Sequence, residues 1–432
     1  MDMLQKSLES VPPIQHNPSL KSNSILLFEL STYGHHTVYI RHLVEHWLKN
    51  HLPGSVHIVV APRFFEKCAD LVARVSQYPS AGIAFLPLSE AEEASLTTNL
   101  KGFINRKIRA WQEWHLICAY ARKTEATHCF LPSFDFFQWP LIFGQKPPCP
   151  ISGIYFKPTF HYGSFAAHVS TPSDHLRQWQ EKLTLAAIFQ QPHIHRLFCL
   201  DPFAAEALSR SHKRSHIKVS TLADPVSHYP DRAEAQTRSL RKRLEISENR
   251  RIFLIFGDLS ERKGVRQLLE ATTLLSSSLC QALCILIIGR CNSTEKAHLH
   301  SKVQQIRQAK PIQIIEHYEF VNEEEVQAYF QLADVVLAPY QRHVGMSGIL
   351  LQAAAAGKPV ISSNYGLMGE LVTQYELGLA VDSTQPPEIA KALTRMLKQP
   401  VQKFFNSEKL RLFSEQNTVE KFTSAIFEGV MQ

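Results

Sequence analysis

The chain has 432 residues, 44% of them hydrophobic, and its 46 Lys and Arg outweigh 39 Asp and Glu for a formal net charge of +7. That length implies two or three domains at ~100–200 residues each, with enough apolar side chains for proper cores. Scattered basic residues speak against a nucleic-acid stripe, and no apolar run nears the ~20 residues that a bilayer requires.

Residues 1–20 lack the hydrophobic stretch of a secretory signal and read as a polar arm. A buried strand is expected over residues 24–30, a helix over 37–49 and a strand over 56–60. The loop Tyr33-Gly34-His35-His36 lies between the first strand and helix. Further strands are expected at 83–86, 128–131 and 151–156. Between them Ile104, Ile108, Trp111, His115 and Cys118 recur at helical spacing beside Arg106-Lys107-Ile108-Arg109. That pattern predicts a helix with an apolar inner and a basic outer face, or one resting on an anionic membrane surface. Residues 225–249 are rich in Pro, Ser and charge, and read as a linker followed by a polar helix. A second strand–helix series follows, with strands expected at 251–256, 283–288, 312–316, 335–337 and 360–363. Eight cysteines form no CxxC pair and no Cys/His cluster at zinc spacing, so reduced thiols, a cytoplasmic location and no metal are expected.

This alternation predicts an α/β protein of two doubly wound, Rossmann-like domains facing each other across a cleft. The expected division is an arm at 1–20, a first domain at 21–226, a linker at 227–249, a second domain at 250–407 and a returning segment with a helix at 408–432.

The stretch HVGMSGILLQAAAAGKPVISSNYGLMGE, residues 343–370, reads as loop, helix and strand. Helix-start N–H groups lack intrahelical partners, and the dipole adds partial positive charge there, so an anion is a natural ligand. Gly345 and Gly348 would let it approach the backbone, and Ser347 could cap the helix or donate to a phosphate oxygen. A glycine loop alone is a weak motif, equally consistent with an ordinary Ser-capped helix.

In the same half, Phe256-Gly257-Asp258-Leu259-Ser260-Glu261-Arg262-Lys263-Gly264, Ile287-Ile288-Gly289, Tyr318-Glu319-Phe320-Val321, Ala333-Asp334-Val335-Val336-Leu337-Ala338-Pro339-Tyr340 and Gly357-Lys358-Pro359-Val360-Ile361 occur in order. With them, this half resembles the donor-binding domain of a GT-B glycosyltransferase of group 1 (family 4), and the first half resembles the acceptor domain of that fold more loosely. The resemblance implies sugar transfer from a nucleotide-diphosphate sugar to a sugar, lipid or other hydroxyl acceptor, with retention and without metal or cofactor. It assigns Gly257, Lys263, Gly345, Met346, Ser347, Gly348, Gln352 and Glu370 to the donor, and Gly34, His35 and His36 to the acceptor side. Lys263 and Arg262, with His128, Asp135 and His161, are the expected catalytic group.

The chain departs from the family at charged positions. Asp258 stands where the family has an arginine, Val344 and Gln352 replace its glutamate pair, and Glu370 falls one place beyond another expected glutamate. These losses make an inactive nucleotide-sugar-binding scaffold the alternative reading. A dehydrogenase is disfavoured because no GxGxxG follows a first strand, and a P-loop because Gly357-Lys358 precedes Pro359.

Overall fold

The computed structural model describes residues 23–98, 102–165, 168, 170–226 and 234–431. The arm expected at 1–20 and the start of the linker, 227–233, lie outside the described residues.

The first half forms a seven-stranded sheet in the order β3-β2-β1-β4-β5-β6-β7, and the second a six-stranded sheet in the order β10-β9-β8-β11-β12-β13. In the first, the strands are β1 (Ser24–Phe28), β2 (Ser55–Val60), β3 (Ile83–Pro87), β4 (His128–Leu131), β5 (Ile151–Tyr155), β6 (Ile194–Cys199) and β7 (Lys218–Thr221). In the second they are β8 (Arg251–Phe256), β9 (Leu283–Ile288), β10 (Gln313–His317), β11 (Val335–Ala338), β12 (Val360–Ser363) and β13 (Gly378–Val381). Every pairing is parallel. Strands of this kind are buried on both faces, which explains why β9 reads as an unbroken apolar run and β1 as one after Ser24; β1, β5 and β9 are buried throughout. Periodicity did not locate β6, β7 or β13. In β6, His195 and Arg196 interrupt the apolar run, and β13 is a four-residue strand opening on Gly378.

The sheets are covered, and the cleft is lined, chiefly by α1 (His35–Asn50), α2 (Phe103–Lys123), α3 (Gln138–Phe143), α4 (Pro172–Ile188), α5 (Val265–Thr273), α6 (Gly348–Ala355), α7 (Gly366–Gln374) and α8 (Val419–Val430). Alternation along each strand divides the core between two layers. Leu26 and Phe28 pack with Trp114 and Ile117 of α2, whereas Ile25 and Leu27 pack with Ile40 and Trp47 of α1 and Phe422 and Ile426 of α8. In the second sheet Phe253 and Ile255 pack with Leu268 and Leu269 of α5, and Ile252 and Leu254 with Leu350 and Leu351 of α6.

The apolar stripe expected on the inner face of α2 requires correction. Ala110, Trp114, Ile117, Cys118 and Ala121 are buried, while Ile104 is 72% and Ile108 45% exposed. At 100° per residue the stripe at 104, 108, 111 and 115 is turned by roughly 100° from the buried face. Bulky Trp114 and Ile117 take the core side, and the other stripe points outward.

The chain crosses between halves twice, and the crossings touch. Val226 forms a parallel bridge with Thr418, the Val226 amide donates to the Asn417 carbonyl at 3.0 Å, and the Asp224 amide donates to Asn417 Oδ1 at 3.0 Å. The helix α8 then packs on α1, where Phe422 meets Tyr39 at 4.6 Å between ring centroids and His46 Nδ1 lies 2.7 Å from Thr423 Oγ1.

Candidate functional site

In doubly wound sheets, ligands bind beyond the carboxyl ends of the strands where the strand order reverses. That point lies between β1 and β4 in the first sheet and between β8 and β11 in the second.

At the second switch point, the loop after β8 turns through Gly257 at φ +116°. A Cβ there would lie 2.9 Å from Lys263 Nζ, so glycine makes room for this side chain. Lys263 is only 4% exposed. Its ammonium donates to the Phe256 carbonyl at 2.9 Å and hydrogen-bonds the Tyr340 hydroxyl, lying 4.3 Å from the centre of that ring. Tyr340 follows β11, and its hydroxyl also accepts from Ser347 Oγ at 3.1 Å. Ser347 in turn caps α6, its Oγ accepting from the Ile349 amide. Lys263, Tyr340 and Ser347 thus form one hydrogen-bonded chain at the start of a helix. Among the described residues no carboxylate pairs with Lys263. A buried cation held only by neutral oxygens, beside the positive end of a helix dipole, favours an anionic ligand.

Arg262 does not join this chain. It is exposed, donates from Nη1 to His343 Nδ1 at 2.9 Å, and sits 5.3 Å from the Tyr340 ring centre. His343 Nε2 faces the Met346 carbonyl at 3.2 Å, so the proton belongs on Nε2 and Nδ1 accepts. Burial, with the Arg262 cation, pushes this imidazole down to about 4.

At the first switch point the buried Glu29 follows β1. It accepts from the Ser31 amide at 2.8 Å and from Ser133 Oγ at 3.2 Å, and lies 2.7 Å from His36 Nδ1. Gly34 has open space on its Cβ side. His35 stacks on His36 at 4.2 Å and on Phe156 at 4.8 Å, and burial pushes it down to about 3.

The two lips touch. The Gly345 amide donates to the Tyr162 hydroxyl at 3.0 Å, and Arg342 pairs with Asp174 at 2.7 Å. Met346 packs against apolar clusters of both halves.

The remaining expected residues fall in different places. Gln352 and Glu370 are half-buried on the second turns of α6 and α7, and Gly348 opens α6 on an exposed position. Asp135 accepts from the amides of Phe156 at 2.6 Å and Lys157 at 3.1 Å, so it clamps a loop; burial raises it to about 6 against those two bonds. His161 lies 3.0 Å from Asp201, both buried among Phe160, Tyr162 and Phe165. His128 is misplaced as a catalytic candidate. It opens β4, at the end remote from the cleft, where its Nε2 meets Ser152 Oγ at 2.9 Å.

Glu29, Ser133, Tyr340 and Tyr162 were not found from the sequence. Glu29 and Tyr340 carried a usable signal, since each follows a strand that flanks a switch point. Ser133 and Tyr162 depend on how loops fold, which periodicity does not report. Among the described residues no three His, Cys, Asp or Glu side chains gather as a metal-holding group.

Residues 236–417 match the family model described as glycosyl transferases group 1. Over 165 residues the chain is 26% identical to a putative glycosyltransferase, YtcC, of Bacillus subtilis (strain 168), covering 38% of this chain and 40% of that protein. The chain spans less than half the length of the curated relatives it matches. Sucrose-phosphate synthase from Thermosynechococcus elongatus superposes with a TM-score of 0.65 at 16% identity, over 94% of this chain and 98% of that one. Anabaena Alr3699/HepE in complex with UDP gives 0.64 at 12% identity, over the same shares of 94% and 98%. At such identities these two likenesses establish the fold alone: two Rossmann-like domains in the GT-B arrangement.

Proposed function

We propose, from the match of residues 236–417 to the family of glycosyl transferases group 1, that the protein transfers a sugar from a nucleotide-diphosphate sugar to an acceptor hydroxyl, with retention and without a metal ion. The acceptor is a sugar, a lipid or another hydroxyl compound. The observation that carries this reading is the buried, carboxylate-free ammonium of Lys263 beside Tyr340, Ser347 and the start of α6. A diphosphate supplies the missing negative charge, and the structural neighbour crystallised with UDP is in keeping with such a ligand.

The reaction breaks the bond between the anomeric carbon and the diphosphate oxygen and forms one to the acceptor oxygen. The departing electron pair rests on the diphosphate, where Lys263 and the first amides of α6 are placed before reaction begins, so little reorganisation is required. Arg262, on the exposed side of the Tyr340 ring, adds a second cation. The acceptor proton leaves to His36, which Glu29 orients through Nδ1 and whose Nε2 is thereby the basic nitrogen. Gln352 offers a neutral amide to the nucleotide in place of a carboxylate.

A thermal-shift series with UDP, GDP and ADP tests the site. One of them is expected to raise the midpoint of the wild type, since a native-state ligand at 100 times its Kd stabilises by about 2.7 kcal/mol, and Lys263→Met is expected to abolish the shift. A shift that survives Lys263→Met places the nucleotide elsewhere. Donor turnover in the presence of EDTA, with the product anomer read by proton NMR, then tests chemistry and stereochemistry. Binding without turnover of any donor would identify the scaffold that Val344 and Gln352 suggest.

A further inference from the structure

A solvent-facing apolar surface runs across three neighbouring helices of the first half. It comprises Ile104 and Ile108 on α2, Trp139 and Phe143 on α3, and Leu176, Trp179 and Leu183 on α4, each between 45% and 72% exposed. The helices pack side by side, α2 on α3 and α3 on α4. Trp139 and Phe143 lie 5.9 Å apart, and Lys107 Nζ sits 4.9 Å from the Trp139 ring. On α4 the spacing of 176, 179 and 183 gives an unbroken outer stripe. Soluble surfaces rarely gather so many large apolar side chains without an occupant.

Charge identifies the occupant. Lys146 and Lys182, beside Phe143 and Leu183 in the chain, are exposed, and Lys107 is half-buried against Trp139. The three helices carry only three acidic residues, and each is turned inward and engaged: Glu113 with Arg109, Asp174 with Arg342 and Arg177, and Glu181 with Tyr155 and Thr159. A second copy of the chain would set these cations against themselves across a two-fold axis. Tryptophans amid aliphatic side chains with basic neighbours suit the boundary between lipid headgroups and acyl chains.

We propose that this three-helix face docks the protein on an anionic lipid surface, with Trp139, Trp179 and their aliphatic neighbours entering the headgroup layer and Lys107, Lys146 and Lys182 facing lipid phosphates. The face is independent of the transfer reaction, and its test needs no turnover.

The test is co-sedimentation of the full chain with vesicles of phosphatidylcholine alone or of phosphatidylcholine with phosphatidylglycerol. The protein is expected to pellet with the anionic vesicles and to be released by salt. The pair Trp179→Glu and Leu183→Glu is expected to lower partitioning at least ~10-fold, and Lys146→Gln and Lys182→Gln ~5-fold each. All four positions are exposed, so the fold survives, and Leu274→Glu, on an exposed residue of the other half, should leave binding unchanged. Failure to pellet with anionic vesicles, or equal loss in Leu274→Glu, overturns the proposal. So does a wild-type dimer in sedimentation velocity that the Trp179/Leu183 pair abolishes, which would assign the face to a second copy.

Discussion

Lys263 shows how one side chain can be legible in sequence while its circumstances are not. The Lys-Gly pair after a strand located it, yet burial to 4% exposure and its partnership with Tyr340 arise from the loop's path. Gly257 follows from the same geometry. A methyl group there would crowd Nζ at 2.9 Å on a backbone at φ +116°, a conformation that costs an L-residue ~1–2 kcal/mol. Gly257→Ala should therefore weaken nucleoside diphosphate binding by roughly tenfold, in line with a displaced charged hydrogen bond, while circular dichroism at 25 °C stays native. Calorimetric titration reads the affinity; an unchanged Kd would mean that the ammonium does not face the ligand. Glu29 makes the complementary point at the other lip, since it lay inside the strand expected over 24–30, and only the end of β1 at Phe28 frees it to hold His36.

At the scale of elements, periodicity located most strands to within a residue or two, because buried parallel strands have no polar face to blur them. It failed where polar residues interrupt the run, as in β6, and it misjudged orientation, as in α2. The family resemblance offers His128 as a catalytic residue, but the side chain opens β4 and so lies at the strand end remote from the cleft. Contacts between loops were invisible for a further reason: they join positions as distant as Tyr162 and Gly345. Removing that hydroxyl in Tyr162→Phe should raise hydrogen exchange at the Gly345 amide ~5-fold, in keeping with about 1 kcal/mol for a hydrogen bond. Exchange measured by mass spectrometry on peptides covering 342–347 checks this, and identical protection would show that the lips are held by other contacts. At Gly366, φ is +57° and a Cβ would come within 2.6 Å of the Tyr162 ring. Gly366→Ala is accordingly expected to open the same lips and to lower the thermal midpoint, whereas Tyr162→Phe leaves the midpoint nearly unchanged.

Across the whole molecule, buried imidazoles set the response to acid. His35 is pushed down to about 3, and His128 and His343 to about 4, burial being the main cause in each case. A depressed imidazole binds fewer protons in the folded chain than in the unfolded one. Its contribution to stability is therefore complete above pH ~6.5 and declines as pH falls towards the folded values. Melting followed by circular dichroism should show a lower midpoint at pH 5 than at pH 7. His128→Asn, which keeps a partner for Ser152, should remove about 2 kcal/mol of that dependence. A slope identical to that of the wild type would place the acid sensitivity in other groups.

The two chain crossings lie side by side, with Val226 bridged to Thr418 and Asn417 bonded to both Val226 and Asp224. Two rigid bodies joined along one line keep a single easy rotation, and the line through these residues is its pivot. The contacts of Tyr162 with Gly345 and Asp174 with Arg342 tie the two halves together a second time, at the lips of the cleft. A rotation about that line would part Lys263 from His36 while leaving both sheets and the grip at Asn417 intact.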